Sequence, residues 1–435
     1  MRVSSYALVV TLLLLAVWVS LAQALDLETA IKKALATHPA LKARYQNLTA
    51  TRYTRKATAA NRWLKANLVV QAERHSDPVA VTAIKGPGAF PAFSRDIYFW
   101  ELELALPLYE GGRIAQAVKL KEYETKVERS LWRQSAEDLI ANVKQVYYQI
   151  LYLKALSQAQ EELLQVLRKQ YQEARLKYQA GKVARLDLLY FEKTLKEEEA
   201  LWASTKTNLR LAQEVLALLI GEKPRSFEVE GTLLRKKDLP QASVGPVEEY
   251  LKERADVKAA ALKVSQAEAA LAEAKRAYAP EVDLFSSYGR RAGAGLHDDE
   301  EVWVAGLQFR WNLFDSGGRR NRVRERQAQV LSAQENLRAV RLQARQEILS
   351  ALTKVQTAQM QIQKYKAAED YAQQAFLRES VRYQTGAGSV TDLLAAQEGW
   401  LRAKTALIKA YYDLQTASVA FELATGEIAK GYLHE

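Results

Sequence analysis

The chain is 435 residues long and carries 62 Lys and Arg against 51 Asp and Glu, a formal net charge of +11. It contains no Cys, which excludes disulfides, thiolate metal sites and cysteine nucleophiles, and its 4 His are too few and too scattered for histidine-based catalysis. The basic excess is spread among Glu along helix-like stretches, so it reads as a solvated helix face or a basic channel wall rather than a nucleic-acid footprint.

Residues 1–24 read as a signal peptide. Arg2 supplies the positive start, Tyr6 to Leu21 form a mostly apolar run, and Ala22-Gln23-Ala24 is a small-x-small cleavage site that leaves Leu25 as the mature N-terminus. The apolar run of roughly 16 residues is short of the about 20 that a spanning helix needs; an uncleaved N-terminal anchor is the alternative. Cleavage leaves a mature charge of about +10. Without Cys, no lipid-modified cysteine can form. No later segment is an apolar helix of bilayer length. A membrane-embedded mature chain therefore has to be a β-barrel, because only helices and closed barrels satisfy their backbone groups in lipid.

Residues 25–220 form a first long unit. A helix opens it, with a boundary where His38 precedes Pro39. The period then becomes two. Asn67 to Arg74 is a short strand, Ser76 to Asp96 a loop with Pro78, Pro87 and Pro91, and Tyr98, Trp100, Leu102, Leu104 and Leu106 alternate with Glu101 and Glu103. The two strands make a β-hairpin over about 65–107. From Arg113 the period is helical. Leu139, Val143, Val146, Ile150, Leu153, Ser157, Gln160, Leu164, Leu167, Tyr171, Ala174 and Tyr178 alternate spacings of four and three, the seam of a coiled coil broken only at Ser157 and Gln160. Arg113 to Ala180 is roughly 68 residues, about 100 Å of helix. No single globular core is that long. Gly181 suits the left-handed residue that ends a helix, and a return helix runs from Leu186 to Ile220. Residues 221–246 are a connector bearing Pro and charge.

Residues 247–427 repeat the plan, and 428–435 are a C-terminal tail. After a helix, Val282 to Tyr288 is a strand, Arg290 to Glu301 a shorter acidic loop, and Trp303, Ala305, Leu307, Phe309, Trp311 and Leu313 alternate with Gln308, Arg310 and Asn312. This second hairpin covers about 281–314. The long helix follows with a weaker seam in register, including Ile348, Val355, Ile362, Tyr365, Phe376 and Tyr383, then Gly386 and a return helix from Asp392 to about Ala424. The offset between copies is about 205 residues at the tips and at Gly221-Glu222 against Gly426-Glu427. It is about 206 at Gly111-Gly112-Arg113 against Gly317-Gly318-Arg319, and about 216 before the first loop. Two copies of one supersecondary unit make a pseudo-twofold protomer. Its fold class is mixed and mainly α: long antiparallel coiled-coil helices with two β-hairpins.

The apolar strand faces are rich in Trp, Tyr and Leu, as on the lipid side of an outer-membrane barrel. Tyr98, Trp100, Leu102, Trp303, Leu307, Phe309 and Trp311 are the expected lipid-facing residues. A sandwich core is the alternative, but no further strands exist to pair with. Two hairpins do not close a barrel alone, so several chains must pool theirs.

At this point the chain resembles the TolC-type outer-membrane efflux proteins. The likeness covers essentially all of residues 25–430. It rests on Leu27-Glu28-Thr29-Ala30 through His38-Pro39-Ala40-Leu41, on the corners Leu108-Tyr109-Glu110-Gly111-Gly112 and Leu313-Phe314-Asp315-Ser316-Gly317-Gly318, and on both tips, Tyr178-Gln179-Ala180-Gly181 to Asp187 and Tyr383-Gln384-Thr385-Gly386 to Asp392. The resemblance implies a homotrimer in the outer membrane. Each copy would give four strands to a twelve-stranded barrel and its helices to a periplasmic α-barrel. The tips, Gly181, Lys182, Val183, Gly386, Ala387 and Gly388, would contact a periplasmic adaptor and an inner-membrane pump of the resistance-nodulation-division, ATP-binding-cassette or major-facilitator type. The implied activity is exit of cargo in tripartite efflux or type I secretion, with no enzyme chemistry, cofactor or nucleic acid.

In the family an Asp after the first tip, and a Tyr and an Arg around the second, close the tunnel. Asp187 and Tyr383 match, but Gly388 stands where the Arg would be, which puts a salt-linked gate in doubt. Relatives use an acidic ring near the second tip, a place that Asp392 fills. Lys182 or Arg185 are candidate substitute cations. Both Asp residues also suit the first turn of a helix for its dipole alone. His297-Asp298-Asp299-Glu300-Glu301 is the only metal-like cluster and reads as a solvated loop. The Gly-rich stretches lack the Lys and helix start of a phosphate loop. The competing reading is a coiled-coil scaffold or adhesin without transport, which leaves the apolar strand faces without a use.

Overall fold

The computed structural model describes residues 25–223, 228–233 and 247–433. Residues 1–24, read from the sequence as a signal peptide, and most of the connector at 221–246 lie outside them. The elements in order are α1 (Leu27–Thr37), α2 (Pro39–Ala60), β1 (Lys65–Ala80), β2 (Phe93–Tyr109), α3 (Arg113–Gln179), α4 (Arg185–Leu219), α5 (Val247–Glu253), α6 (Ala255–Arg276), β3 (Glu281–Ala292), β4 (Glu300–Arg310), α7 (Gly318–Gln384) and α8 (Val390–Thr425). The mainly helical class with a small antiparallel sheet agrees with the sequence reading. No described helix is long and apolar enough to cross a membrane. The chain divides into two compact units, one of Met1–Arg44, Trp132–Ala255 and Arg341–Glu435, the other of Tyr45–Leu131 and Asp256–Val340.

The second of these holds the sheet. Its four strands are antiparallel in the order β1-β2-β3-β4, so β1 and β4 are both edges. Pairing partners point to the same face of a sheet. Leu68 opposes Leu102, Val70 opposes Trp100, Leu102 opposes Tyr288, Leu284 opposes Leu307 and Tyr288 opposes Trp303. One apolar face therefore runs unbroken across all four strands, and Trp100 meets Tyr288 edge to face at 6.0 Å. The opposite face carries Asn67, Gln71, Glu101, Glu103, Ser287, Gln308 and Arg310.

Strand ends differ from the sequence expectation: β2 begins at Phe93 and β3 continues to Ala292, inside the stretches read as loops, and two further differences have a local cause. β1 continues through Pro78 to Ala80, with a register shift between Arg74 and Val79. An edge strand tolerates Pro because one side of its ladder is empty. β4 stops at Arg310, so Trp311 and Leu313 lie outside the strand. The Trp311 indole N–H instead donates to the Tyr278 carbonyl at 3.1 Å and helps turn the corner. At the start of β4, Glu300 accepts the Ala83 N–H and faces Lys85 at 3.6 Å, tying it to the loop of the first hairpin.

Two consecutive left-handed residues precede each long helix: Gly111 and Gly112 in one copy, Ser316 and Gly317 in the other. By backbone conformation Gly111 corresponds to Ser316, an offset of about 205 residues, where the Gly-Gly-Arg letters give about 206. α3 and α7 are each 67 residues long at that same offset.

The first-named unit is helical. Its largest core gathers Ile31, Ile140, Val143, Ile150, Leu216, Ile220, Val419 and Ile428. The seam positions Leu139, Val143, Ile150, Leu153, Leu164, Leu167 and Ala174 are all buried, as are the two polar breaks, Ser157 and Gln160. The C-terminal stretch packs into the same core, with Ile428 and Ala429 buried. Buried Arg254 donates to the Ala424 carbonyl at 2.9 Å and to Glu347 at 2.6 Å, so the end of α8 is held from α5 and α7.

Leu25 pairs in parallel with Val229, and the Tyr147 hydroxyl lies 3.1 Å from the Leu25 carbonyl and 2.5 Å from that of Glu230. Burial foremost, then the Asp26 and Glu230 carboxylates, raise the Tyr147 hydroxyl pKa, so it stays a donor. Tyr147→Phe removes that donor at a cost of about 1 kcal/mol. Amide exchange at Glu230, measured by mass spectrometry, should then accelerate about fivefold while α3 further along is unchanged. Unchanged exchange would mean that Tyr147 holds nothing there.

Candidate gate at the helix tips

Both tips turn on the same backbone device. Gly181 has φ +69° and Gly386 φ +76°. At the first tip the Gly181 N–H donates to Tyr178 and the Lys182 N–H to Lys177; at the second Gly386 donates to Tyr383 and Ala387 to Arg382. This is the paired six-to-one and five-to-two closure that satisfies the last helical carbonyls. A Cβ at Gly181 or Gly386 would meet nothing within 4 Å, so the glycines are there for the left-handed turn alone.

The return helices start differently. Ser389 caps α8, accepting the Asp392 N–H at 3.1 Å. α4 follows Ala184 with no side-chain cap. Asp187 and Asp392 each fall in the first turn of their helix, where a carboxylate is favoured by the dipole.

Beneath the tips, buried Ala174, Phe191, Phe376, Val390 and Leu393 form a small core, with Tyr383, Tyr171 and Trp400 packed against it. Phe191 meets the Tyr383 ring edge to face at 6.0 Å. Phe376 stacks on Trp400 at 5.3 Å. The Tyr383 hydroxyl is shifted up, first by burial, then by the Asp187 and Glu173 carboxylates. The Asp187 carboxylate therefore acts on the Tyr383 hydroxyl within one chain. Asp392 is exposed. Gly181, Lys182, Gly386 and Ala387 are exposed, and Val183 and Gly388 half-buried.

Three residues that the sequence reading passed over complete the site. Phe191 stands four residues after Asp187 on α4, a spacing that places both on one face. The Lys177 ammonium lies over the Tyr383 ring at 5.1 Å. Arg382 pairs with Glu379 at 3.0 Å and donates to the Ala387 carbonyl at 3.3 Å. Neither Lys182 nor Arg185 forms an ion pair with Asp187 among the described residues; the cation against Tyr383 is Lys177. Gly388 has a steric reason as well: a Cβ there would come to 3.1 Å from both the Arg382 Cβ and the Tyr383 nitrogen. The tight second tip thus leaves little room for the side chain that the family usually carries.

On the sheet, Tyr98, Trp100, Leu102, Trp303, Leu307 and Phe309 share the apolar face, and Trp303 is 70 %, Leu307 67 % and Phe309 65 % exposed in the single chain.

The family model described as outer membrane efflux protein matches residues 30–222 and 247–427. Nodulation protein T of Rhizobium leguminosarum bv. trifolii is 25 % identical over 279 residues, 62 % of this chain and 59 % of that protein. Outer membrane protein TolC of Escherichia coli K12 is 22 % identical over 329 residues, 72 % of this chain and 66 % of that protein. The chain thus matches about two thirds or less of the length of these two relatives. The crystal structure of the outer membrane protein VceC from Vibrio cholerae superposes with a TM-score of 0.78 at 22 % identity, covering 92 % of this chain and 96 % of that one. At that identity the likeness speaks for the fold.

Proposed function

The chain belongs to the outer membrane efflux protein family, and from that premise we propose that this outer-membrane protein of the TolC type is the exit channel of a tripartite efflux or type I secretion system. The observation that carries the reading is the sheet register. It gathers Tyr98, Trp100, Leu102, Trp303, Leu307 and Phe309 on one face of a sheet with two open edges. A soluble scaffold gains nothing from such a face. A barrel closed by three copies covers both edges and turns the apolar face to lipid. The polar face, with Glu101, Glu103, Gln308 and Arg310, then lines a wet lumen.

The helices carry that lumen through the periplasm to the tips. There, three copies each of Asp187, Tyr383 and Asp392 ring the narrow end. Gly388 leaves no arginine for an Asp–Arg link, so closure rests on Tyr383. Phe191 behind it, Lys177 above it and Asp187 beside it hold the ring in place. Contact of the exposed tips with an adaptor pulls the helices apart and releases Tyr383. Cargo comes from the pump. The ring of carboxylates at the constriction favours cations despite the basic chain, since field focusing at the narrowest point outweighs remote charge.

Conductance of the purified protein in planar bilayers tests this. Tyr383→Ala should raise conductance, and Asp392→Ala should weaken cation preference and block by multivalent cations. Unchanged conductance and selectivity for Tyr383→Ala, Asp187→Ala and Asp392→Ala together would place the constriction elsewhere.

A further inference from the structure

The sheet unit distributes its charge unevenly. The helices joined to the central strands are nearly balanced: Lys121 pairs with Glu124 at 2.8 Å, Lys126 with Glu122 at 2.7 Å, and Arg113 with Glu110 at 2.9 Å and Glu281 at 3.1 Å. The helices joined to the edge strands are not. α2, which feeds β1, contains no Asp or Glu, and Arg52, Lys56 and the following Arg62 are exposed. α7, which leaves β4, opens Arg319-Arg320-Asn321-Arg322-Val323-Arg324-Glu325-Arg326. Arg319 is taken up by Asp315 at 2.9 Å and by the Tyr278 ring. Arg320, Arg322 and Arg324 are exposed and make no ion pair among the described residues.

Both basic stretches begin at the same end of the sheet, just past exposed aromatics: Trp63 before β1, Trp311 and Phe314 after β4. Aromatic side chains of this kind sit at the boundary between hydrocarbon and water. At 1.5 Å per residue, Arg62, Arg320 and Arg322 lie within about 10 Å of that boundary, in the headgroup layer, with Arg324 and Lys56 just beyond and Arg52 about one turn further. Ring closure, on which this step rests, brings β1 of one copy beside β4 of the next, and so sets α2 against α7 of its neighbour. Two helices with an excess of cationic side chains then meet where phospholipid phosphates are at hand.

We propose that each junction between copies, at the periplasmic rim of the barrel, is a binding site for anionic phospholipid headgroups. Arg52, Lys56 and Arg62 form one wall, and Arg320, Arg322 and Arg324 of the next copy the other. The lipid neutralises the seam and seats the barrel at a defined depth.

The test is native mass spectrometry of the purified assembly after exposure to equimolar phosphatidylglycerol and phosphatidylethanolamine. The wild type should retain phosphatidylglycerol preferentially, and high salt should abolish the preference. Arg320→Gln/Arg322→Gln/Arg324→Gln and Arg52→Gln/Lys56→Gln/Arg62→Gln should each lower it, by about fivefold per lost cation. Lys263→Gln/Lys275→Gln on the balanced α6 should leave it alone. Retention unchanged in both triple variants overturns the site, as does a wild type with no preference, a result that needs no variant to fold. Equal displacement by inorganic phosphate makes it a free-anion site, and retention of peptidoglycan fragments in place of lipid makes it a cell-wall contact; either overturns the lipid assignment. A wild-type chain that is a conductance-free monomer sinks the channel reading instead, whereas a conducting trimer without lipid preference sinks only this inference.

Discussion

Lysine at Trp303 or Leu307 should keep the protein out of the outer membrane, whereas lysine at Gln308 should be tolerated. The three positions lie in one strand of 11 residues, and only the face differs. Trp303 and Leu307 share the apolar face with Tyr288 and Leu284, while Gln308 opposes Asp283 on the polar one. A lysine on the lipid side near mid-bilayer costs roughly 2 to 4 kcal/mol, and a symmetric assembly carries it in every copy. A side chain on the lumen side meets water and costs little. Quantifying heat-sensitive oligomer in outer-membrane fractions separates the cases. Loss at Trp303 and Leu307 with retention at Gln308 is the expected result. Equal tolerance at all three would remove the barrel, and loss at Gln308 alone would invert its inside and outside.

What the sequence reveals depends on the range of the interaction. The strands show through a period of two, and the seam through spacings of four and three, because both are written into neighbouring residues. The tips show because a left-handed turn selects Gly at Gly181 and Gly386. The letters mislead where conformation and residue type part company. Ser316 adopts φ +54° as the partner of Gly111, so the Gly-Gly pairing is displaced by one. Pro78 marks a loop by composition yet sits in β1, since only a paired side of a strand needs its N–H. Trp311 continues the alternation, but its N–H is drawn to Tyr278 and the strand ends before it.

At the tip the limit is sequence separation. Asp187 and Tyr383 are nameable from their motifs. The influence of Asp187 on the Tyr383 hydroxyl is not, nor is Lys177 over the Tyr383 ring, because these residues are far apart in sequence. Gly388 shows the same limit from the other side. Its departure from the family pattern is visible in the letters, but the closeness of Arg382 that accounts for it is visible only in space.

The two corners offer the sharpest contrast. Gly111→Ala should cripple assembly of the sheet unit, and Gly317→Ala should not. Both residues have positive φ, +59° and +85°, so each alanine bears the left-handed cost of about 1 to 2 kcal/mol. Beyond that they diverge. A Cβ at Gly111 would lie 2.1 Å from the Ala279 Cβ and 3.3 Å from the Arg276 carbonyl, whereas one at Gly317 meets nothing within 4 Å. Neither Cβ at the first corner ends a flexible side chain, so the backbone of β2 or of the turn before β3 must move. Overpacking of this kind adds about 1 to 3 kcal/mol. The corner also places Arg113, whose guanidinium bridges Glu110 and Glu281, so a shift there breaks the tie between the start of α3 and the start of β3. Ala279→Gly supplies the test of cause. In the double variant the 2.1 Å clash is gone, leaving the φ cost and the 3.3 Å approach to the Arg276 carbonyl, so its oligomer yield and thermal midpoint should move most of the way back to those of Gly317→Ala. A double variant no better than Gly111→Ala alone would show that the defect lies in the backbone conformation and not in the contact with Ala279.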